Sequence, residues 1–366
     1  MRRLSIIHTE SSCGWGGQEL RIIAEARGMG ARGHDVCIAA APGSRILAEA
    51  SRRGIAVAPL PIARKGARGL VALRRFLARS RADIVNSHSS TDSWLAALAL
   101  ASMAAAPPLV RTRHISAPIP GNARTRWLYT RATAHVVTTG ERLREQVMRE
   151  TGLAADRVSS VPTGIDLERF SPGGAPAARE RCGLPRGAFV IGIVATLRSW
   201  KGHRFLVDAL AAIRDPGVML VIVGDGPGAQ NLRAQVAALG LQNRVRMPGN
   251  QEDVVPWLRA LDVFALPSYA NEGVPQAIMQ AMACRIPVVS TPVGAIGEIV
   301  REGETGLLVA PQDAAALCAA LLRLRDDAAL RERLAGRAHE FAHARFSELN
   351  MLERMERIFM HAAGLA

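Results

Sequence analysis

Aromatic side chains are scarce in this 366-residue chain: Phe, Trp and Tyr make up 4% of it, against 49% for all hydrophobic types. Its cores must therefore be aliphatic and rich in alanine. Lysine is scarcer still, with only Lys65 and Lys201 beside a large arginine population. Long apolar runs are missing as well. The nearest, LAALALASMAAAPPLV, is short and ends in Pro-Pro, below the roughly 18 uncharged residues that cross a bilayer as a helix. The five cysteines, Cys13, Cys37, Cys182, Cys284 and Cys318, are scattered, odd in number and free of paired spacing. That argues against a disulfide framework or a structural zinc and fits a reducing compartment. The opening MRRLSIIHTE passes from basic residues directly into a strand pattern, unlike a secretion signal. A soluble cytoplasmic protein is the expectation.

What the chain does have is positive charge, +14 in all, and it is uneven. Residues 1–170 hold 25 Lys+Arg against 13 Asp+Glu; residues 171–366 hold 21 against 19. Arginine-rich composition explains such an excess without function. The functional reading is that the first half meets something anionic: a phosphorylated acceptor, a membrane surface or nucleic acid. Nucleic acid is disfavoured, because the basic residues are not interleaved with aromatics and no nucleic-acid motif is present. The stretch RKGARGLVALRRFLARSR (64–81) sets Leu70, Leu73, Phe76 and Leu77 beside a basic face. It reads as a surface helix packed on its own sheet in preference to an interfacial membrane helix.

Short β-branched runs alternate with helical patterns along the whole chain. LSIIHTE, DVCIAAA, GIAVAPL, DIVNSHS, PLVRTRH, HVVTTG and RVSSVPTG read as buried parallel strands, and FVIGIVAT, GVMLVIVGDG, RVRMPG, DVFALPS, IPVVST and TGLLVA form a second series. Between the series the chain is rich in Gly and Pro, as in a linker near 171–186. The expected organisation is α/β: a first Rossmann-like, doubly wound domain over 1–170, the linker at 171–186, and a second such domain over 187–345. A terminal helix over 346–366 is expected to return to the first domain.

In parallel sheets, ligands sit beyond the carboxyl ends of the strands. After the first strand, ESSCGWGGQE offers Gly14, Gly16 and Gly17 for close backbone approach before a helix. It is not a G-x-G-x-x-G fingerprint, so a dinucleotide site is poorly supported. VATLRSWKGH places Arg198 and Lys201 between a strand and a helix, which suits a diphosphate. LVIVGDGPG supplies further glycines, Gly224 among them, permitting close approach. His88, in NSHSS, reads equally as a satisfied strand-end histidine and as a site residue. HEFAH (339–343) matches H-E-x-x-H, but it lies in a charged terminal helix without a familiar third ligand, and no metal site is expected there.

VPTGIDLERFSP, LRSWKG, VGDGP, NEGVPQAIMQAMACRIPVVST, PVGAIGEIV and GETGLLV, in that order and spacing, together resemble the retaining glycosyltransferases of family 4. The resemblance covers nearly the whole chain, most strongly 158–310. It implies the GT-B fold: two Rossmann-like domains facing a cleft, with C-terminal helices packing back toward the first. It also implies a metal-independent transferase whose donor is a nucleotide-diphosphate sugar, a UDP-sugar being expected, with no further cofactor. No D-x-D motif is visible beside the predicted cleft. By resemblance, Glu272 contacts the donor sugar. Amides of Gly273 and Val274, where Pro275 opens a helix, hold sugar and phosphates, and Gly294 adds to them. Arg198 and Lys201 neutralise the leaving diphosphate. His114 lies near the reacting sugar, and Gly16 and Gly17 match the first-domain loop facing the donor. The chain departs from the family twice. Gln280 stands where the family carries a second Glu that binds the ribose, and the usual GRL reads ATL, placing the basic residue two positions later at Arg198.

The expected partners are thus a nucleotide-sugar, an anionic glycan or glycolipid acceptor of lipopolysaccharide or exopolysaccharide type, and an inner-membrane surface met from its cytoplasmic face. A GT-B nucleotide-sugar epimerase and a basic nucleic-acid-binding protein are the alternatives.

Overall fold

The computed structural model describes residues 2–365. The chain divides into two compact units, the first reaching Gly164 and taking in the residues from Glu348 onward, the second spanning Ile165–Ser347. The first unit holds seven strands: β1 (Ser5–Glu10), β2 (Asp35–Ala40), β3 (Ala56–Pro59), β4 (Ile84–Ser87), β5 (Leu109–Arg113), β6 (His135–Thr138) and β7 (Val158–Ser160). They form one parallel sheet ordered β3-β2-β1-β4-β5-β6-β7. The second unit holds β8 (Phe189–Val194), β9 (Val218–Val223), β10 (Val245–Gly249), β11 (Val263–Leu266), β12 (Val288–Ser290) and β13 (Leu307–Leu308). These pair in parallel in the order β10-β9-β8-β11-β12-β13. Each β-branched run read from the sequence is one of these strands. Parallel neighbours need long crossovers, and helices supply most of them, covering the faces. The fully buried β4 and β11 follow from that covering.

The helix Ala67–Ser80 buries Gly69, Leu73 and Leu77 and packs on the helix Ser90–Ala101, so its apolar stripe faces its own unit. A Cβ on Gly69 would stand 2.8 Å from the Pro61 carbonyl oxygen; only glycine allows that approach.

The stretch expected to be a linker, 171–186, belongs instead to the second unit. It folds as the helix Ala175–Cys182, whose Ala178 and Cys182 are buried in that unit's core. Its glycines flank this helix, Pro176 sits in the first turn where a missing N–H costs nothing, and Gly183 closes it in the left-handed conformation (φ 64°). The boundary falls earlier, between Gly164 and Ile165. Ile165 and Phe346 are joined by a 2.6 Å backbone hydrogen bond within the second unit.

The last helix, Glu348–Ala362, packs on the first helix, Gly17–Ala31. A Cβ on Gly28 would meet Leu352 Cδ1 at 2.3 Å, so glycine sets how closely the two helices approach. Met355 and Phe359 are fully buried in one cluster with Leu4, just before β1, and with Ile6 and Ile84 of the first sheet. Glu356 is held by Arg32 Nε (2.8 Å) and by His34 Nε2 (3.0 Å). His34 Nδ1 accepts the Leu4 amide (3.1 Å), which leaves the proton on Nε2 facing Glu356. Phe359→Ala should lower the stability of the first unit by about 3–5 kcal/mol, read as a displaced urea midpoint; an unchanged midpoint would show that the last helix contributes nothing to that core.

Candidate active site

A parallel sheet opens a crevice beyond its strand ends where the order of strands reverses. That point lies between β1 and β4 in the first sheet and between β8 and β11 in the second. Candidate residues gather at both.

In the second unit, the loop after β8 carries Lys201 and the loop after β11 carries Glu272. Lys201 Nζ donates to both Glu272 carboxylate oxygens, at 2.7 and 2.9 Å, and the Ser268 hydroxyl donates to Oε1 at 2.5 Å. The carboxylate is 4% exposed and the lysine side chain 20%. The backbone around the pair is locked. Tyr269 N donates to Trp200 O (2.8 Å), joining the two loops directly. A Cβ on Gly202 (φ +77°) would stand 2.0 Å from Pro267 O, and one on Gly294 (φ +58°) 2.0 Å from Glu272 O. Asn271, just before the acid, adopts the left-handed region at φ 57°, a conformation uncommon for a residue with a side chain. The loops after β8 and β9 close together in the same way, through Leu197 N to Asp225 O (3.0 Å) and Gly228 N to Leu197 O (2.9 Å). Gly224 (φ +140°) would carry a Cβ 2.0 Å from Ala195 O.

The first unit has a different cluster. His8 on β1, His88 just past β4 and His114 just past β5 form a row: His8 Nδ1 to His88 Nε2 is 2.9 Å, and His88 Nδ1 to His114 Nε2 is 3.1 Å. Burial, reinforced by the Arg21 charge, depresses the basicity of His8 to about 3. His114 is pushed well below the usual histidine range by the same two causes. His88 is lowered likewise, first by burial and then by the histidines on either side. All three are neutral at pH 7. Below the row, Thr112 Oγ1 donates to Asn86 Oδ1 (3.0 Å) and Asn86 Nδ2 to Glu25 Oε1 (3.1 Å). Glu10, at the end of β1, accepts Ser12 N (2.6 Å), Ser89 Oγ (2.5 Å) and Gln18 Nε2. It thereby ties down the glycine loop. Burial first, and then the Asp92 charge, push its carboxyl up to about 8. Burial also raises Asp92, to about 6, against the pull of hydrogen bonds from His88 N and Thr9 Oγ1.

Of the residues singled out from the sequence, Lys201 and Glu272 are in direct contact, with Gly294 against the Glu272 backbone. Gly273, Val274 and Pro275 are buried, and Pro275 caps the helix Gln276–Ala283. Gln280 is half-buried one turn along that helix. Arg198 does not join the pair: it is exposed, its guanidinium 5.6 Å over the Trp200 ring. Gly16 caps the first helix with extended backbone (φ −175°), and Gly17 begins it. His88 sits in the histidine row with both ring nitrogens engaged. In HEFAH, His339 Nδ1 bonds the Ala283 carbonyl at 2.9 Å, tying its helix to the end of Gln276–Ala283. Sequence reasoning missed Ser268 and His8. A hydroxyl four residues before the acid in PSYANEG was the available signal for the first. The second was hidden by reading SIIHTE as an apolar strand.

Residues 188–327 match the family model described as Glycosyl transferases group 1, and residues 15–169 the one described as Glycosyltransferase Family 4. Between them they span most of the chain. The D-inositol 3-phosphate glycosyltransferase of Saccharomonospora viridis is 33% identical over 269 residues, 66% of this chain and 61% of that protein. Its counterpart in Thermomonospora curvata is 36% identical over 229 residues, 57% of this chain and 52% of that protein. The chain spans about half the length of the first curated relatives it matches. Among solved structures, Anabaena HepE in complex with UDP-glucose matches with a TM-score of 0.87 at 22% identity, over 98% of this chain and 100% of that one. A glycosyltransferase from Rickettsia africae gives 0.86 at 19% identity over 100% of both chains. At such identities the likeness establishes the fold, GT-B with two Rossmann-like domains.

The raised Glu10 carboxyl has a measurable consequence. It binds its proton more tightly folded than unfolded, so its stabilisation is complete below the ordinary carboxylate range and is lost as pH rises toward about 8. Glu10→Gln should flatten the fall in stability between pH 5 and 8 by up to about 1.4 kcal/mol per pH unit, measured by urea unfolding across that range. Parallel curves for variant and wild type would place the Glu10 proton elsewhere.

Proposed function

We propose, from the premise that this chain belongs to the glycosyltransferases of family 4 (glycosyl transferases group 1), that it transfers a sugar from a nucleoside-diphosphate donor to an anionic glycan or lipid-linked acceptor of the cell envelope. Transfer proceeds with retention and without a metal ion. The observation that carries this reading is the Lys201–Glu272 pair at the switch point of the second sheet. A buried acid beside a partly exposed lysine offers an acceptor for sugar hydroxyls next to a cation for phosphate.

In this reading the bond from the sugar C1 to the diphosphate oxygen breaks with oxocarbenium character. Lys201 takes up the charge that develops on the leaving group, with Arg198 turning from Trp200 to assist and the amides of Gly273 and Val274 adding their dipoles. Three of the roughly four acceptor positions on the Glu272 carboxylate are used by Lys201 and Ser268, and the remaining one accepts a sugar hydroxyl. Gly294 and Gly224 keep the surrounding loops close enough for backbone to line the phosphates. The acceptor hydroxyl attacks the face the diphosphate leaves and passes its proton to that phosphate. Gln280 meets the ribose as a neutral amide; within the first unit, His114 and the Gly16–Gly17 loop are the groups available to a sugar. The match to a fold that holds UDP-glucose in HepE supports a UDP-sugar.

For the acceptor, the support is the positive charge of residues 1–170 and the inositol phosphate named in the relatives. Among the described residues no helix is long and apolar enough to cross a membrane, and the same basic surface is the candidate for meeting a cytoplasmic membrane face. A panel of UDP-, GDP- and ADP-sugars incubated with membrane extract tests the reading; no turnover with any of them would defeat it. Glu272→Ala and Lys201→Ala should each lower kcat/KM by at least about a hundredfold while the circular dichroism spectrum is retained. Unchanged turnover in either variant would remove that residue from the site. Gln280→Glu should alter nucleotide affinity more than kcat, a split that calorimetric titration and initial rates resolve together.

A further inference from the structure

The histidine row is built by the sheet. His8 lies opposite Asn86 and Asn86 opposite Val110 in the register of β1, β4 and β5. His88 is two residues beyond Asn86, and His114 is two beyond Thr112, so strand alternation puts all three rings on one face. They rise in a staircase across three neighbouring strands. The inner end is sealed: His8 is fully buried, its ring edge-on to Phe359 with centroids 6.5 Å apart. Its Nε2 has no partner among the described residues. The outer end is the half-buried His114.

Each junction is a single N···N hydrogen bond, so it needs one proton and one lone pair. Three neutral rings satisfy both junctions in only two ways: all carry the proton on Nδ1, or all carry it on Nε2. In the second arrangement His8 Nε2 is a buried N–H without an acceptor, held in the field of Arg21. In the first it is a lone pair. A buried donor without a partner is tolerated less well than a bare acceptor, and a nearby cation favours a lone pair over an N–H.

We propose that the His8–His88–His114 row is a tautomer relay, fixing all three rings in the Nδ1–H form so that His114 presents a hydrogen-bond donor, Nδ1–H, at the outer end. His8 and His88 are positioning residues that act through His114. The substrate consequence rests on the reading of His114 as a group serving the sugar. The group it meets must then be an oxygen acceptor, a sugar hydroxyl or a phosphate oxygen, and His114 does not serve as a base through Nδ1.

The test is a two-bond proton–nitrogen correlation spectrum of the full chain labelled with nitrogen-15 in its histidine rings, at pH 7 without substrate. All three rings should show a protonated Nδ1 and a bare Nε2, against the preference of free histidine for Nε2–H. In His88→Phe, His114 should revert to a mixture dominated by Nε2–H. A wild-type spectrum with Nε2–H at any of the three rings would overturn the relay, as would an unchanged His114 in the variant. Should the variant fail to fold, the wild-type spectrum decides alone. The readout is independent of sugar transfer, so a failed transferase reading and a failed relay give different results.

Discussion

One ion pair organises the second unit: Lys201 against Glu272, made by loops that follow two neighbouring strands. A carboxylate this deeply buried requires a partner and further hydrogen bonds, or its desolvation goes uncompensated. Lys201 and Ser268 supply them. Buried ion pairs are poor sources of net stability, and apolar replacements of similar volume often do as well. The surroundings are therefore informative. Glycines at 202, 224 and 294 bring carbonyl oxygens to distances that no Cβ allows, and Asn271 holds an uncommon backbone angle. The fold spends conformational freedom on holding this pair in place, as binding sites do.

The first unit obeys the same topological rule with different chemistry. Its reversal point, between β1 and β4, carries neutral histidines and raised carboxyls where the second unit carries an ion pair. Burial decides this difference. His8, Asn86 and Asp92 are fully buried, so the histidine loses its charge, the carboxyl keeps its proton to a higher pH than usual, and the polar groups satisfy one another across strands. Arg21 and Glu25 form a buried pair, 3.6 Å apart within one helix, and are anchored to Val161 O and Asn86. The first unit thus presents a row of neutral imidazoles at its reversal point, and the second a lysine held by a buried carboxylate.

The strands were legible because a parallel sheet covered on both faces demands β-branched runs, and each run read as a strand is one. Lys201 and Glu272 were legible as individual residues, one by its rarity and the other by its family motif. Their contact was not, since it depends on the order β8-β11, which skips two strands in sequence. The same holds for the histidine row, which needs β1, β4 and β5 to be neighbours. The helix at 175–182 was obscured by the glycines around it and by Pro176 in its first turn, although Ala178 and Cys182 lie four apart on one buried face. Arg198 shows another limit: its place before a helix was legible, while the lie of its exposed side chain over Trp200 was not.

The central claim, that the Lys201–Glu272 pair is a diphosphate-sugar site, is tested most directly by isothermal titration of UDP and of uridine into the wild type and Lys201→Gln. Loss of UDP affinity in the variant, with weak uridine binding unchanged, is the predicted result. Equal UDP affinity in the two proteins would contradict the account.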